Sequence, residues 1–188
     1  MVDVEPVKPI VANGSPVRIA SRSRGLAAVG TGDLLSLYGE ILTELRERGV
    51  VRSENSPVGD VAEYLAGRAL GLKLETNSSI GYDGTDAAGL RYQIKGRRLT
   101  RVSSPRQLGA IRGLADGLPD PFDVLVGILF NGDMSVRRAA LIPIAVVRLR
   151  KSRQNHVNAW RLMLTETVWM VDGVVDITEA LRAAASEL

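Results

Sequence analysis

The sequence predicts an α/β protein in which a mixed central sheet is flanked by helices. Apolar residues recur at helical spacing in two early segments, and a glycine follows each of them. A later segment, 123–130, contains an unbroken apolar run of strand length, which is typical of a strand buried on both faces. The chain has 188 residues and is 45% hydrophobic and 24% charged, enough for one domain with a sizeable core.

Residues 1–32 are rich in Pro, Gly, Ser and Val and show no helical period. They predict an N-terminal arm or a loosely attached strand, and a mobile terminus fits the same composition. Residues 33–188 then form the single α/β domain. Asp33 is placed to cap a helix that ends at Gly49, and the apolar residues of that helix form one stripe. Such a stripe more often faces a core than a partner.

The next helix, 58–70, has Gly71 as its natural stop. Proline at a first helical turn and alternating or continuous apolar runs indicate the other elements. These are strands 72–82, 90–98, 123–130 and 135–142, helices 104–114 and 143–151, short strands 160–164 and 167–171, and a helix 177–188 capped by Asp176.

Composition narrows the chemistry that this chain can perform. It has no cysteine and one histidine, which excludes disulfides, thiolate sites, cysteine nucleophiles and two-histidine metal sites. Any catalysis therefore depends on carboxylates, lysine and a hard cation. The apolar runs are too short to span a bilayer, and the N-terminus has no apolar signal core, so we expect a cytoplasmic protein without a membrane partner.

The most informative segment is Gly81–Lys95, which predicts two short strands joined by a tight turn. A three-residue loop with Gly89 in the left-handed conformation would set Asp83 directly opposite Gln93. Gln93 and Lys95 would share that face, because strand side chains alternate. A four-residue loop would shift the register by one and turn Asp83 to the other face. In the first register, a carboxylate, an amide and an ammonium group lie together, as a metal-dependent phosphodiester nuclease requires.

An Asp, then a hairpin, then (Asp/Glu/Gln)-x-Lys resembles the core motif of the PD-(D/E)xK nuclease superfamily, whose fold is restriction-endonuclease-like. The Gln-x-Lys form, here Gln93 and Lys95, is similar to that of Mrr-type restriction endonucleases. Upstream, residues 59–71 resemble the first core helix of the superfamily, in which Glu63 matches the glutamate that faces the site. The resemblance spans residues 59–130.

The resemblance implies a catalytic set of Asp83, Gln93, Lys95 and Glu63 around Mg²⁺ or Mn²⁺. Asp83, Glu63 and the backbone carbonyl of Ile94 would be the metal ligands. Lys95 would orient the attacking water and stabilise the charge on the phosphate. Gln93 offers the ion a dipole where glutamate would offer a negative charge, so we expect weaker metal binding than in a Glu-x-Lys site.

Arginine is concentrated in two stretches without acidic residues, 87–115 and 134–165. Clustered arginine is typical of proteins that bind a phosphate backbone, although a solvated basic face is the commoner case. The first stretch adjoins the candidate site, so it favours nucleic acid. Aromatic residues make up only 4% of the chain, which favours duplex over single-stranded DNA. The predicted nucleic-acid contacts are Arg97, Arg98, Arg101 and Arg106.

These features predict a metal-dependent DNA endonuclease that acts in restriction or defence, and the resemblance implies a homodimer. One alternative is a catalytically inactive module of the same fold that binds nucleic acid. Another is a protein that binds a protein partner through the helix at 33–48.

Overall fold

The computed structural model describes residues 23–54, 56–76, 81–154 and 159–188. The chain divides into two units, 1–41 and 42–188. The first unit contains a short helix, α1 (Ser23–Leu26), and the first part of α2 (Thr31–Glu47). Most of the predicted N-terminal arm, residues 1–22, lies outside the described residues.

The second unit begins with the end of α2 and continues into helix α3 (Val58–Leu70). Gly71 ends α3 in the left-handed conformation, with φ of 64°, and its N–H bonds to the carbonyl of Gly67. Both predicted helices are confirmed here, although α2 begins two residues earlier than expected. Asp33 consequently lies in the first turn of α2 instead of preceding it.

A central sheet and a separate two-stranded sheet contain all the strands of the described residues. The strands are β1 (Lys73–Leu74), β2 (Gly84–Thr85), β3 (Arg91–Arg98), β4 (Val124–Phe130), β5 (Val136–Pro143), β6 (Ser152–Gln154), β7 (Ala159–Arg161) and β8 (Val175–Asp176). The central sheet has the order β1-β2-β3-β4-β5-β8, and β6 pairs with β7 separately. Strands β3 and β4 run parallel, whereas the other neighbours are antiparallel.

Each face of the sheet carries its own core. Helices α3 and α5 (Thr178–Ser186) cover one face, where Ala62, Ile94, Ile128 and Leu181 are buried together. The opposite face is covered by the connection between β3 and β4 and by the chain after β7. The buried residues there include Leu108, Ile111, Leu114, Phe122, Leu125, Leu129 and Leu164. Residues 125–130 of β4 are all buried, as predicted for a strand with cores on both sides.

Three predicted elements differ from the structure. The predicted helix 104–114 is wrong: the segment is extended in places and bonds to the chain around β7, with the Ile111 N–H donating to the Trp160 carbonyl at 2.8 Å. The predicted strand 167–171 is also wrong, since Glu166–Val168 forms a 3₁₀ helix. In place of a strand over 72–82 there are only the two residues of β1, and residues 77–80 of that range lie outside the described residues.

The last two helices agree with the sequence. Helix α4 (Ile144–Arg150) directly follows Pro143, and α5 lies within the predicted range 177–188. The Asp176 carboxylate accepts the N–H of Thr178 at 2.9 Å, which satisfies a donor at the start of α5 as expected. The chain is therefore an α/β protein with a mixed, mostly antiparallel sheet and flanking helices. Within the described ranges, no helix combines the length and apolar character that crossing a membrane requires.

Candidate active site

The turn between β2 and β3 has the three-residue form that the sequence predicts. Gly89 has a φ of 83°, and its N–H donates to the Asp86 carbonyl at 3.1 Å. The N–H of Asp86 in turn donates to the Leu90 carbonyl at 3.1 Å, and the Asp86 carboxylate accepts two further N–H groups of the loop. The register that follows from this turn pairs Gly84 with Tyr92 and Thr85 with Arg91, and its extension by one residue brings Asp83 to Gln93, whose amide bonds to it.

The Asp83 carboxylate is buried directly before β2, with only 6% of the residue exposed. Its Oδ2 accepts the backbone N–H of Ile94 at 2.6 Å and the side-chain amide of Gln93. An ionised carboxylate can only accept, so Gln93 presents its Nε2. If β2 were longer, its next backbone carbonyl would accept the N–H of Ile94. The Asp83 carboxylate accepts that N–H instead. Since the N–H and carbonyl of one strand residue point the same way, the Ile94 carbonyl is directed to this same edge.

The ammonium of Lys95 completes a compact polar group with Asp83. Its Nζ lies 4.0 Å from the Asp83 Oδ2, and a quarter of its side chain is exposed. Burial lowers the pKa of Lys95; the Asp83 charge opposes this effect and the positive charge of Arg112 adds to it. Lys95 is thus a partly dehydrated cation between one carboxylate and a second cation.

Strand pairing shows which face of the sheet carries these groups. Gln93 and Lys95 pair with Leu125 and Gly127 of β4, so their side chains lie on the face of the second core, away from α3. A side chain at Gly96 would lie on the other face, because a Cβ there would be 2.9 Å from the Ala62 Cβ and 3.0 Å from the Val58 carbonyl, both in α3. The candidate site therefore lies on the face opposite to the helix that carries Glu63.

Glu63 is largely buried and forms an ion pair with Arg52. The same guanidinium group donates through Nη1 to the Glu75 carbonyl at 3.0 Å. The N–H of Glu75 then donates to the carbonyl of Asp83 at 2.9 Å. Arg52 therefore connects α3 to the strand edge beside Asp83, and the Glu63 carboxylate is held by this arginine.

Sequence patterns did not indicate Arg52, which lies in the connector between α2 and α3. Its backbone N–H donates to the Asp60 carboxylate at 3.0 Å, as do the N–H and hydroxyl of Ser53 at 2.8 Å. Burial raises the pKa of Asp60, but these hydrogen bonds outweigh burial and hold the pKa below its usual value. The pairing of Arg52 with Glu63, eleven residues away, follows no local pattern and depends on how the connector folds over α3.

The oxygen atoms at this strand edge suit one hard cation. Asp83 offers a carboxylate, and the Ile94 carbonyl is directed to the same edge. Mg²⁺ is commonly held by one or two carboxylates while it keeps several waters. In the part of the chain that the structure describes, no group of three or more His, Cys, Asp and Glu side chains is placed to hold a metal ion. The donors fit a single, largely hydrated Mg²⁺ or Mn²⁺.

The four arginines predicted to contact nucleic acid have different surroundings. Arg98 is exposed and donates through Nε to a carbonyl in the β4–β5 turn at 2.9 Å. Arg106 forms an ion pair with Glu166 at 2.6 Å, and Arg101 is exposed. Arg97 is half-buried, and its fully buried Nε has no hydrogen-bond partner among the described residues. These four side chains therefore do not form one uniform binding surface.

Part of the second arginine-rich stretch is neutralised within the chain. Arg138, Arg148 and Lys151 all form ion pairs with carboxylates. Lys151 also lies 4.1 Å from the centre of the Trp160 ring. The stretch keeps part of its positive charge, because its other cations form no ion pair with a carboxylate of the described residues: Arg137, Arg150, Arg153 and Arg161.

The hairpin brings together three of the predicted site residues, Asp83, Gln93 and Lys95. Function is inferred from their geometry alone, since no protein-family model matches the chain and no curated protein matches it at a significant level.

Proposed function

We propose that the protein is a metal-dependent DNA endonuclease of restriction-endonuclease-like fold that hydrolyses phosphodiester bonds. The observation that supports this is the placement of Asp83 and Lys95 on one face of a bulged hairpin, 4.0 Å apart and mostly buried. Burying opposite charges contributes little to stability because both must be dehydrated. Titratable groups in such surroundings are concentrated at functional sites.

In this proposal the residues of the hairpin have distinct roles. Asp83 and the Ile94 carbonyl would hold Mg²⁺ or Mn²⁺, which activates a water and neutralises charge on the phosphate. Lys95 donates hydrogen bonds to the water and to a phosphate oxygen, so it stabilises the negative charge that develops there. Gln93 donates its amide to Asp83 and keeps that carboxylate in one orientation.

Glu63 remains a proposed ligand, directly or through water. Because α3 covers the opposite face of the sheet and the Glu63 carboxylate is paired with Arg52, this role requires the ion pair to open and the side chain to reach the strand edge beside Asp83. Two copies of the site in a homodimer would cut both strands of a duplex, and a cytoplasmic restriction or defence system is the setting that the resemblance implies.

A plasmid-nicking assay with Mg²⁺ or Mn²⁺ tests the proposal. Lys95→Ala should lower the cleavage rate at least about 100-fold, because it removes a donor to the developing charge. Asp83→Asn should abolish cleavage and weaken Mn²⁺ binding measured by calorimetry. Lys73→Ala, a change at an exposed lysine of β1, is the matched control and should cleave like the wild type. A wild type that cleaves no DNA, or a Lys95→Ala variant with full activity, would refute the proposal.

A second candidate is a catalytically inactive module that binds nucleic acid or a protein partner. The Arg52–Glu63 pair favours it, because the carboxylate is already neutralised by a cation of the chain. Exposed apolar side chains on α2, including Leu35 and Ile41, favour a protein partner. Duplex binding by a wild type that cleaves with neither cation would support the nucleic-acid form of this candidate.

A further inference from the structure

Arg97 has a polar atom that no other described residue contacts by a hydrogen bond. The side chain is half-buried, and its Nε is buried with no hydrogen-bond partner in the described part of the chain. Buried nitrogen donors are rarely unpaired in folded proteins, so each exception requires an explanation. The burial of Nε puts it out of reach of a ligand, but the terminal Nη atoms of the same guanidinium group are not among the buried unpaired atoms of the described residues, so they can bind an oxyanion from outside the chain.

The position of Arg97 on β3 places it beside the candidate site. It pairs with Leu129 of β4, and its side chain lies on the same face as Lys95 because the two residues are two positions apart. Two strand residues span about 6.6 Å, which is comparable with the separation of neighbouring phosphates along one nucleic-acid strand. A backbone that reached Lys95 with one phosphate would therefore bring the next phosphate close to Arg97.

The local charge also favours an anion. Arg112 lies close enough to Lys95 for its positive charge to affect the lysine, and Asp83 is the acid that opposes it. Among the described residues, no carboxylate forms an ion pair with Arg97 or Arg112. Two cations, Lys95 and Arg112, therefore act beside one carboxylate, and Arg97 adds a third positive charge on the same face of β3. In contrast, the Nε of Arg98, on the other face of β3, already donates to a backbone carbonyl.

We propose that Arg97, assisted by Arg112, forms a subsite for one phosphodiester group of a nucleic-acid backbone, next to the group that Lys95 contacts. The inference rests on the proposed function for its location, because it takes the hairpin as the place where the backbone lies. The planar guanidinium of Arg97 binds the phosphate through its two terminal Nη donors. Arg112, which is exposed, contributes charge from the facing loop.

Duplex binding across a salt series tests the subsite without depending on cleavage. Fluorescence anisotropy is measured in Ca²⁺ for the wild type, Arg97→Gln, Arg97→Lys and Arg112→Gln. Arg97→Gln should weaken binding about 10-fold and reduce the slope of log K against log salt by about one unit. Arg97→Lys should keep the slope but bind more weakly, because it retains the charge and loses the paired donors.

Two control variants separate this subsite from general basicity. Arg98→Gln should weaken binding less than Arg97→Gln, although the two residues are adjacent. Arg68→Gln removes an exposed arginine of α3 that pairs with Glu187, and it should bind like the wild type. Circular dichroism verifies the folding of every variant. If Arg97→Gln does not fold, the comparison of Arg97→Lys with the wild type is the test.

Several outcomes would overturn the subsite. Equal affinities and slopes for Arg97→Gln and the wild type would show that Arg97 contacts no phosphate, even in a protein that cleaves DNA. A wild type that binds no duplex would exclude a backbone ligand. A rise in melting temperature with inorganic phosphate that requires Arg97, without Arg97-dependent duplex binding, would assign the subsite to a free anion. Arg97-dependent binding by a protein that never cleaves would retain the subsite and refute only the nuclease.

Discussion

Replacing Gln93 with Glu tests whether the Gln93 amide holds Asp83. The substitution removes a donor and sets a second carboxylate against Asp83, where both residues are more than nine-tenths buried. Two like charges about 4 Å apart repel by about 4 kcal/mol at an effective dielectric constant of about 20. Lys95 offsets part of this repulsion, because its ammonium is 4.0 Å from Asp83. We therefore expect the free energy of unfolding at pH 7 to fall by about 2–4 kcal/mol.

A divalent cation should reverse this loss if the strand edge binds metal. Two carboxylates bind Mg²⁺ or Mn²⁺ more tightly than a carboxylate and an amide do. A cation at about 100 times its Kd raises the free energy of unfolding by about 2.7 kcal/mol. Gln93→Met is the matched control: it removes the hydrogen bond without adding charge, so it should cost about 1–3 kcal/mol and gain no cation dependence over the wild type.

Urea unfolding of the wild type and both variants, with and without Mn²⁺, measures these differences. If Gln93→Glu is as stable as the wild type without a cation, the amide does not hold Asp83 in the way described. If Gln93→Glu is destabilised but no cation restores it, this edge of the sheet is not a metal site. The two results refute different parts of the reasoning, the hydrogen bond in the first case and the metal in the second.

Two further predictions concern the scaffold around the site. Gly96→Ala would place a Cβ 2.9 Å from that of Ala62 and should lower the free energy of unfolding by about 1–3 kcal/mol. Gly59→Ala in α3, where nothing lies within 4 Å, should instead raise the free energy of unfolding by about 0.5–1 kcal/mol. Equal urea midpoints for the two variants would contradict the close packing of α3 on β3. The hydrogen bonds from Arg91 hold the pKa of Asp123 below its unfolded value of 3.8. The stability that this carboxylate contributes is therefore present above pH 3.8 and is lost as the pH falls through the pKa of the folded state. Asp123→Asn should therefore be less stable than the wild type at pH 7 and equally stable in acid, and a difference that is independent of pH would contradict the ion pair.

The parts of the fold that local chemistry determines could be predicted from the sequence. Gly71 ends α3 because the left-handed conformation suits glycine, and Gly89 determines the hairpin register for the same reason. Once that turn is given, strand alternation is sufficient to place Asp83 opposite Gln93. The continuous apolar run of β4 likewise predicted a central strand, because a strand covered on both faces has no polar side.

The parts that depend on distant contacts could not be predicted. Pro105 predicted the first turn of a helix over 104–114, but Leu108 and Ile111 instead donate their N–H groups to the chain around β7 and are buried there. The partner of Glu63 was missed for a related reason. An exposed glutamate and a metal ligand look identical in a sequence, and only the path of the connector before α3 brings Arg52 to Glu63.

The parallel pairing of β3 with β4 has a consequence for the order in which the molecule folds. Asp83, Gln93 and Lys95 lie within one hairpin, and a hairpin closes in about 1–10 μs. Strand β4 reaches β3 only after a connection of 25 residues, 99–123, has crossed over, and closing that longer loop is slower. The polar groups should therefore meet while they are still hydrated, and Leu108, Ile111 and Leu125 should exclude water from them later. Pulsed hydrogen exchange during refolding should then show that the Ile94 amide becomes protected before the amides of β4.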